Sequence, residues 1–108
     1  MSDSVGIFLF LSQFKRLLKQ RKIVFRARNN KTVMFLLDND MNANDALALL
    51  ENLDVQHFQK GPEEDHNGTP GNVMVFLLPW KNTKLYIKLK IWKDQQNDDT
   101  GCVMSFHD

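Results

Sequence analysis

The chain has 108 residues, of which 43% are hydrophobic and 25% charged, and its formal net charge is +1 at neutral pH. This length suits one compact domain, and this composition excludes the polar bias that keeps chains disordered. The sequence therefore predicts a single domain over residues 1–108.

The sequence gives no sign of a zinc site, a nucleotide cofactor or a membrane span, and only His66 beside the acidic residues 63–65 could suggest a metal-dependent hydrolase. Cys102 is the only cysteine, so no internal disulfide can form, and no Cys/His cluster has the spacing of a zinc site. The apolar run at residues 7–11 is too short and wrongly flanked for a signal peptide or a membrane span. No Walker loop or dinucleotide fingerprint is present. We therefore expect a cytoplasmic protein without metal or cofactor.

The small net charge conceals a strong segregation of charges along the chain. Residues 11–31 carry eight basic side chains and no acid, whereas residues 32–59 carry five acids and no base. Residues 81–93 carry five lysines and no acid. This segregation allows a local positive field on a nearly neutral molecule, the alternative being a set of solvated faces.

The first half of the chain has the patterns of a helix, a short strand and two further helices. Apolar side chains recur every three or four positions in the first segment and alternate in the second. Asn29 and Asn30 can cap the next helix, and Asn42 with Asp45 resembles a capping box for the last. We expect these elements at residues 4–22, 23–28, 30–37 and 42–52.

The second half has the patterns of a loop and three strands. Residues 59–72 contain two prolines and three glycines, which predicts a long loop. Alternating strands are expected at residues 73–78, 84–92 and 102–107, and their short connections favour antiparallel pairing. The sequence thus predicts an α+β fold, with a small antiparallel sheet and helices packed on one face.

The strand KLYIKLKIW alternates charged or aromatic residues with aliphatic ones, so Tyr86, Lys88 and Lys90 should share the face opposite the core. In the last strand, we expect the more apolar set to point inward, which comprises Cys102, Met104 and Phe106. Ser105 and His107 would then lie near Tyr86.

An imidazole, a phenol and lysines on one face are what metal-independent RNA cleavage needs. A base takes the proton of the ribose 2′-hydroxyl, an acid protonates the departing 5′-oxygen, and cations stabilise the charged phosphorane. Histidine can be either acid or base near neutral pH. The alternative interpretation is an ordinary solvated sheet face.

Three segments in order, NLDVQHFQKGPEED, KLYIKLKIW and VMSFHD, resemble the MqsR family of motility-quorum-sensing-regulator toxins. The resemblance covers roughly residues 8–108. It implies a RelE-like toxin fold and a sequence-specific endoribonuclease that cuts single-stranded mRNA without a metal and so arrests translation. It also implies a cognate antitoxin as protein partner, whereas association with the ribosome is left open.

The same resemblance implies catalytic roles for Lys60, Tyr86 and His107. A glutamine that some family members carry has no counterpart in NVMVFLL, so its role could fall to His66. The residues expected to bind RNA are Lys88, Lys90, Arg26, Arg28 and His66. Trp80 and Trp92 could stack on unpaired bases or pack in the core. The alternative function is a non-catalytic RNA- or protein-binding regulator on the same fold.

A histidine rather than a lysine follows the terminal Ser-Phe pair, and this generates a prediction. Lysine stays charged at neutral pH, whereas histidine exchanges a proton there. We expect activity to change with pH more steeply near neutrality than in lysine-type relatives. Cleavage rates measured between about pH 5.5 and about pH 8 check this, and a flat profile would contradict it.

Overall fold

A computed structural model describes residues 4–26, 29–64 and 72–108. Within these ranges the elements follow the order α1 (Ser4–Lys19), β1 (Ile23–Phe25), α2 (Asn30–Asp38), α3 (Ala43–Leu50), a 3₁₀ turn (Val55–His57), β2 (Phe58–Glu64), β3 (Asn72–Trp80), β4 (Thr83–Lys93) and β5 (Asp99–His107). The strands form one sheet in the order β1-β5-β4-β3-β2. All neighbours are antiparallel except β1 and β5, which are parallel. The predicted α+β class is confirmed, with one parallel pair that the sequence did not indicate.

The helix ends follow from local side-chain and backbone chemistry. Asn29 caps α2 by accepting a bond from the Thr32 amide, and Asn42 and Asp45 form the expected capping box before α3. Helix α1 ends at Lys19, earlier than predicted, because Arg21 adopts a left-handed conformation with φ of 58°. The Lys22 amide then bonds back to the Leu17 carbonyl, which closes the helix.

The prediction of a loop over residues 59–72 is wrong for its first part, because residues 58–64 form β2 at the edge of the sheet. An edge strand tolerates Pro62, which has no amide hydrogen to donate to a neighbour. Gly61 has φ of 127°, and a Cβ there would meet the Val73 carbonyl oxygen at 2.7 Å. The Gly/Pro composition therefore suits an irregular edge strand, and residues 65–71 lie outside the described ranges.

The three helices cover one face of the sheet and build a single apolar cluster with it. Strand β4 lies in the middle of the sheet, and its Leu85, Ile87 and Leu89 are completely buried. The helices contribute Ile7, Leu11, Phe14, Phe35, Ala46 and Leu50. The predicted packing of helices on one face is confirmed. Across the described ranges, no helix is both long and apolar enough to cross a membrane.

Strand β5 contains a bulge, so the predicted alternation of its side chains is wrong for the residues before Ser105. Lys88 pairs with Ser105, but Leu89 pairs with Val103, so Met104 is an extra residue. Phe106 points inward as expected, whereas Val103 replaces Cys102 on the core face.

The start of α2 covers the edge of β5 beyond the point where β1 ends. The buried Thr32 hydroxyl accepts a bond from the Phe106 amide at 3.0 Å. The Asn29 side chain donates to the Ser105 hydroxyl at 3.1 Å and to the Met104 carbonyl at 3.3 Å. These bonds satisfy edge groups that would otherwise lack a strand partner, and they hold the last residues of β5 in place.

The Thr32 bond generates a stability prediction. Thr32→Val keeps the side-chain shape but leaves the buried Phe106 amide unsatisfied, which should lower the free energy of unfolding by about 1–3 kcal/mol. Thr32→Ser keeps the hydroxyl and loses one methyl group, which should cost about 0.8 kcal/mol. Urea unfolding of the three proteins compares them, and equal stability of Thr32→Val and wild type would refute this role.

Candidate functional site

Tyr86 and His107 lie directly opposite each other on β4 and β5 and project from the face away from the helices. Their rings are stacked, with centroids 5.2 Å apart and planes inclined by 17°. Both side chains are half-buried, so each keeps an edge accessible to solvent. The prediction that these two residues share a solvent-accessible sheet face is confirmed.

A hydrogen bond indicates which nitrogen of His107 carries the proton when the ring is neutral. Nδ1 lies 3.0 Å from the backbone oxygen of Asp108, and an oxygen of this kind can only accept. The proton of the neutral ring is therefore on Nδ1, and Nε2 presents its lone pair. This arrangement suits Nε2 to take a proton from a substrate.

Lys88 and Ser105 form the next paired row on the same face. Lys88 follows Tyr86 by two residues, so their side chains project to the same side about 7 Å apart along the strand. The Ser105 hydroxyl accepts from Asn29 and keeps its own hydrogen for donation. A cation and a hydroxyl donor therefore lie beside the stacked rings.

Lys60 lies on the same face but to one side of the Tyr86–His107 pair. It pairs with Val75, which in turn pairs with Lys88, so Lys60 and Lys88 are two strand spacings apart, or about 10 Å. The Lys60 ammonium is 3.8 Å from the Glu63 carboxylate, and both side chains are well exposed. Such a surface ion pair is weak, so Lys60 can exchange it for a phosphate.

Lys90 does not belong in the predicted RNA-binding set, because its side chain is 0% exposed. Its strand neighbours Val73 and Cys102 are also buried, and its ammonium lies 5.3 Å from the centre of the Trp92 ring. A cation in this environment is not presented to RNA. Arg26 is exposed, and its guanidinium covers the Trp92 ring at 4.5 Å. Arg28 and His66 lie outside the described residues.

Trp80 does not form a base-stacking surface, since its ring packs edge-on against Phe35 with centroids 5.5 Å apart. The alternative of core packing is therefore correct for Trp80. Trp92 carries cations close to its ring, which leaves less of the ring for a base.

The structure adds Lys31, which sequence reasoning did not include. A groove of about 340 Å³ between α2 and the end of β5 is lined by Lys31, Met34, Asp38 and His107, among others. Lys31 lies on a helix, and only the docking of α2 against β5 brings it beside His107. The sequence feature that could have indicated Lys31 is its position at the end of the acid-free basic segment 11–31.

Among the residues that the structure describes, no three His, Cys, Asp or Glu side chains lie close enough together to hold a metal ion. What the site does present is a proton acceptor at His107, a phenol at Tyr86 and a cation at Lys88, with Lys60 two strands away and Lys31 in the groove at the end of β5. These groups can transfer protons and bind a phosphodiester.

The position of Lys88 generates a binding prediction. If its ammonium contacts a phosphate, Lys88→Gln should weaken binding of 2′-O-methylated single-stranded RNA and lower the slope of log affinity against log salt by about 0.7. Lys19→Gln removes an exposed lysine from α1, on the helical side of the sheet, and should change neither quantity. Fluorescence anisotropy across a salt series measures both, and an unchanged slope in Lys88→Gln would contradict the contact.

Comparisons of this chain with known proteins found no relative. No protein-family model matches the chain, and neither a curated protein nor a solved structure matches it. Membership of the MqsR family therefore stays a prediction.

Proposed function

We propose that this chain is a metal-independent endoribonuclease that cleaves single-stranded mRNA and acts as the toxin of a toxin–antitoxin pair. The observation that carries the proposal is the stacking of Tyr86 on His107 beside Lys88, on a face away from the helices. Here a proton acceptor, a hydroxyl donor and a cation occupy neighbouring paired positions on one face of the sheet.

The proposed reaction uses the nucleophile that RNA itself carries. His107 Nε2 takes the proton from a ribose 2′-hydroxyl, and the 2′-oxygen attacks the adjacent phosphorus. The bond from phosphorus to the 5′-oxygen then breaks, and the Tyr86 phenol supplies the proton to that oxygen. The products are a 2′,3′-cyclic phosphate and a 5′-hydroxyl, so atoms and protons balance without an added water.

The cations have a separate role in this scheme. The phosphorane carries more negative charge than the phosphodiester, and fixed cations lower its energy more than that of the ground state. Lys88 follows Tyr86 by two residues along β4, and Lys60 is placed for a neighbouring phosphate. Arg26 is further along the face and would bind the RNA backbone.

The helices offer a separate surface for an antitoxin. On α1, three large apolar side chains are exposed, with Val5 at 69%, Phe8 at 58% and Leu9 at 60%. An exposed apolar patch of this kind is typical of a protein interface. Because α1 packs on the core face of the sheet, a partner bound there would leave the Tyr86–His107 face uncovered. The proposal places the chain in the cytoplasm, together with its mRNA substrate.

A second candidate function is a non-catalytic RNA- or protein-binding regulator on the same fold. The stacked rings of Tyr86 and His107 are also a surface on which an unpaired base can stack. The burial of Lys90 and the lateral position of Lys60 leave fewer cations at the pair than the sequence predicted, which favours binding without cleavage.

The deciding experiment is incubation of purified protein with single-stranded RNA in a chelator, followed by identification of the cut ends. We expect 2′,3′-cyclic phosphate ends, with rates at least about 100-fold lower for His107→Ala and for Tyr86→Phe. Gln95→Ala, an exposed change in the turn between β4 and β5, is the matched control and should cut at the wild-type rate.

Two further measurements separate the candidates. Induced expression should arrest growth for wild type and not for His107→Ala, and cleavage assays with and without ribosomes show whether the ribosome takes part. Ends carrying a 5′-phosphate, or equal rates in all variants, would reject cleavage through this face. RNA binding without any cleavage would establish the regulator instead.

A further inference from the structure

A second groove opens on the same sheet face, one strand pair away from the stacked rings. It is an open groove with a volume of about 360 Å³, at the lower end of the range of small-ligand clefts. Leu77 is paired with Tyr86, and Pro79 is paired with Lys84, so this groove begins directly beside the proposed catalytic residues. The lining side chains that matter here are Gln56, His57, Gln59, Leu77, Pro79 and Lys84.

His57 is a positioned hydrogen-bond donor in this groove. The Asp54 amide donates to Nδ1 of His57 at 2.9 Å, and the Asp54 carboxylate accepts from the Val55 amide at 2.7 Å. Because Nδ1 accepts, the proton of the neutral ring is on Nε2. The capping box of the 3₁₀ turn therefore fixes both the ring orientation and the nitrogen that donates.

Gln59 reaches the groove through an irregularity of β2. Phe58 pairs with Phe76 and Lys60 pairs with Val75, so Gln59 is an extra residue between two paired positions. Bulges of this kind redirect a side chain. The Gln59 and Gln56 side chains are both exposed and each carries two donors and an acceptor. Two exposed side-chain amides, each able to donate and to accept hydrogen bonds, therefore border the groove.

The remaining lining fits a planar aromatic ligand attached to an anion. Leu77 and Pro79 give an apolar floor, and Lys84 supplies a cation at one end. None of the lining residues that the structure describes is acidic, and the Lys84 ammonium would attract a phosphate. Single-stranded RNA is read in this way, by splayed bases that rest on apolar or aromatic side chains and bond through their edges.

We propose that this groove binds one base of the RNA next to the cleaved phosphate and so sets the base preference of the protein. The inference rests on the proposed function, because it requires RNA to occupy the Tyr86–His107 face. Donor and acceptor groups of Gln59, Gln56 and His57 would meet the edge of the base, while Lys84 binds its phosphate.

The test measures binding, so that it does not depend on catalysis. Four uniformly 2′-O-methylated pentanucleotides, each of a single base, are titrated against wild type and variants. We expect wild type to bind one of the four at least about tenfold more tightly than the weakest, the ratio that one well-bonded base supplies. Gln59→Ala should bring the four affinities to within about threefold of one another.

Two matched variants complete the experiment. His57→Gln keeps an acceptor for the Asp54 amide, since glutamine is a normal residue at this position of a capping box, but it removes the imidazole donor. It should change the order of preference while the unfolding midpoint stays at the wild-type value. Gln95→Ala, remote from the groove, should keep the wild-type preference.

The outcomes separate this inference from the proposed nuclease activity. Base preference that is lost in Gln59→Ala, in a protein that never cuts RNA, supports the groove and rejects the nuclease. Cleavage with the same preference in Gln59→Ala and wild type supports the nuclease and rejects the groove. Equal wild-type affinity for the four pentanucleotides rejects the groove, and no binding of any RNA rejects both.

Discussion

The register between β4 and β5 is the constraint on which the candidate site depends. Leu85, Ile87 and Leu89 of β4 are buried against three helices, so their burial decides which face of the strand meets water. A slip by one residue would bury Tyr86 and Lys88 and expose those aliphatic side chains. The hydrophobic core therefore places the phenol on the accessible face. The partner of that phenol is then fixed by the pairing of Tyr86 with His107.

Because of the bulge at Met104, β5 contributes side chains both to the core and to the candidate site. Without it, strict alternation from the inward-pointing Val103 would turn His107 towards the helices as well. The extra residue lets Val103 and Phe106 both pack in the core while His107 points outward. The Thr32 and Asn29 side chains then hold the edge of β5 just past the bulge. The position of the imidazole thus depends on contacts with α2, far away in sequence.

The accessible face of the sheet has two ends with different properties. Around Lys90, the neighbouring Val73 and Cys102 are buried and cannot touch a large ligand. Around Tyr86, the face carries the stacked rings, a lysine and the groove bordered by Gln59. RNA bound at the stacked rings would therefore lie across the Tyr86 end, and only its backbone would reach the exposed Arg26 beside Trp92. The exposed apolar residues of α1 lie on the helical side of the sheet, away from the stacked rings.

Local sequence patterns are enough to predict several elements of this fold. The capping residues Asn29 and Asn42, the apolar stripe of α1 and the alternation of β4 all depend on neighbours within a few positions. Tertiary structure decided the bulge at Met104, the strand formed by residues 58–64, the parallel pairing of β1 and the burial of Lys90. The tertiary structure also places Lys31 in one groove with His107 and begins a second groove at Leu77, the strand partner of Tyr86. These features depend on hydrogen bonds and packing between segments far apart in the chain, and no local pattern of side chains records which segments meet.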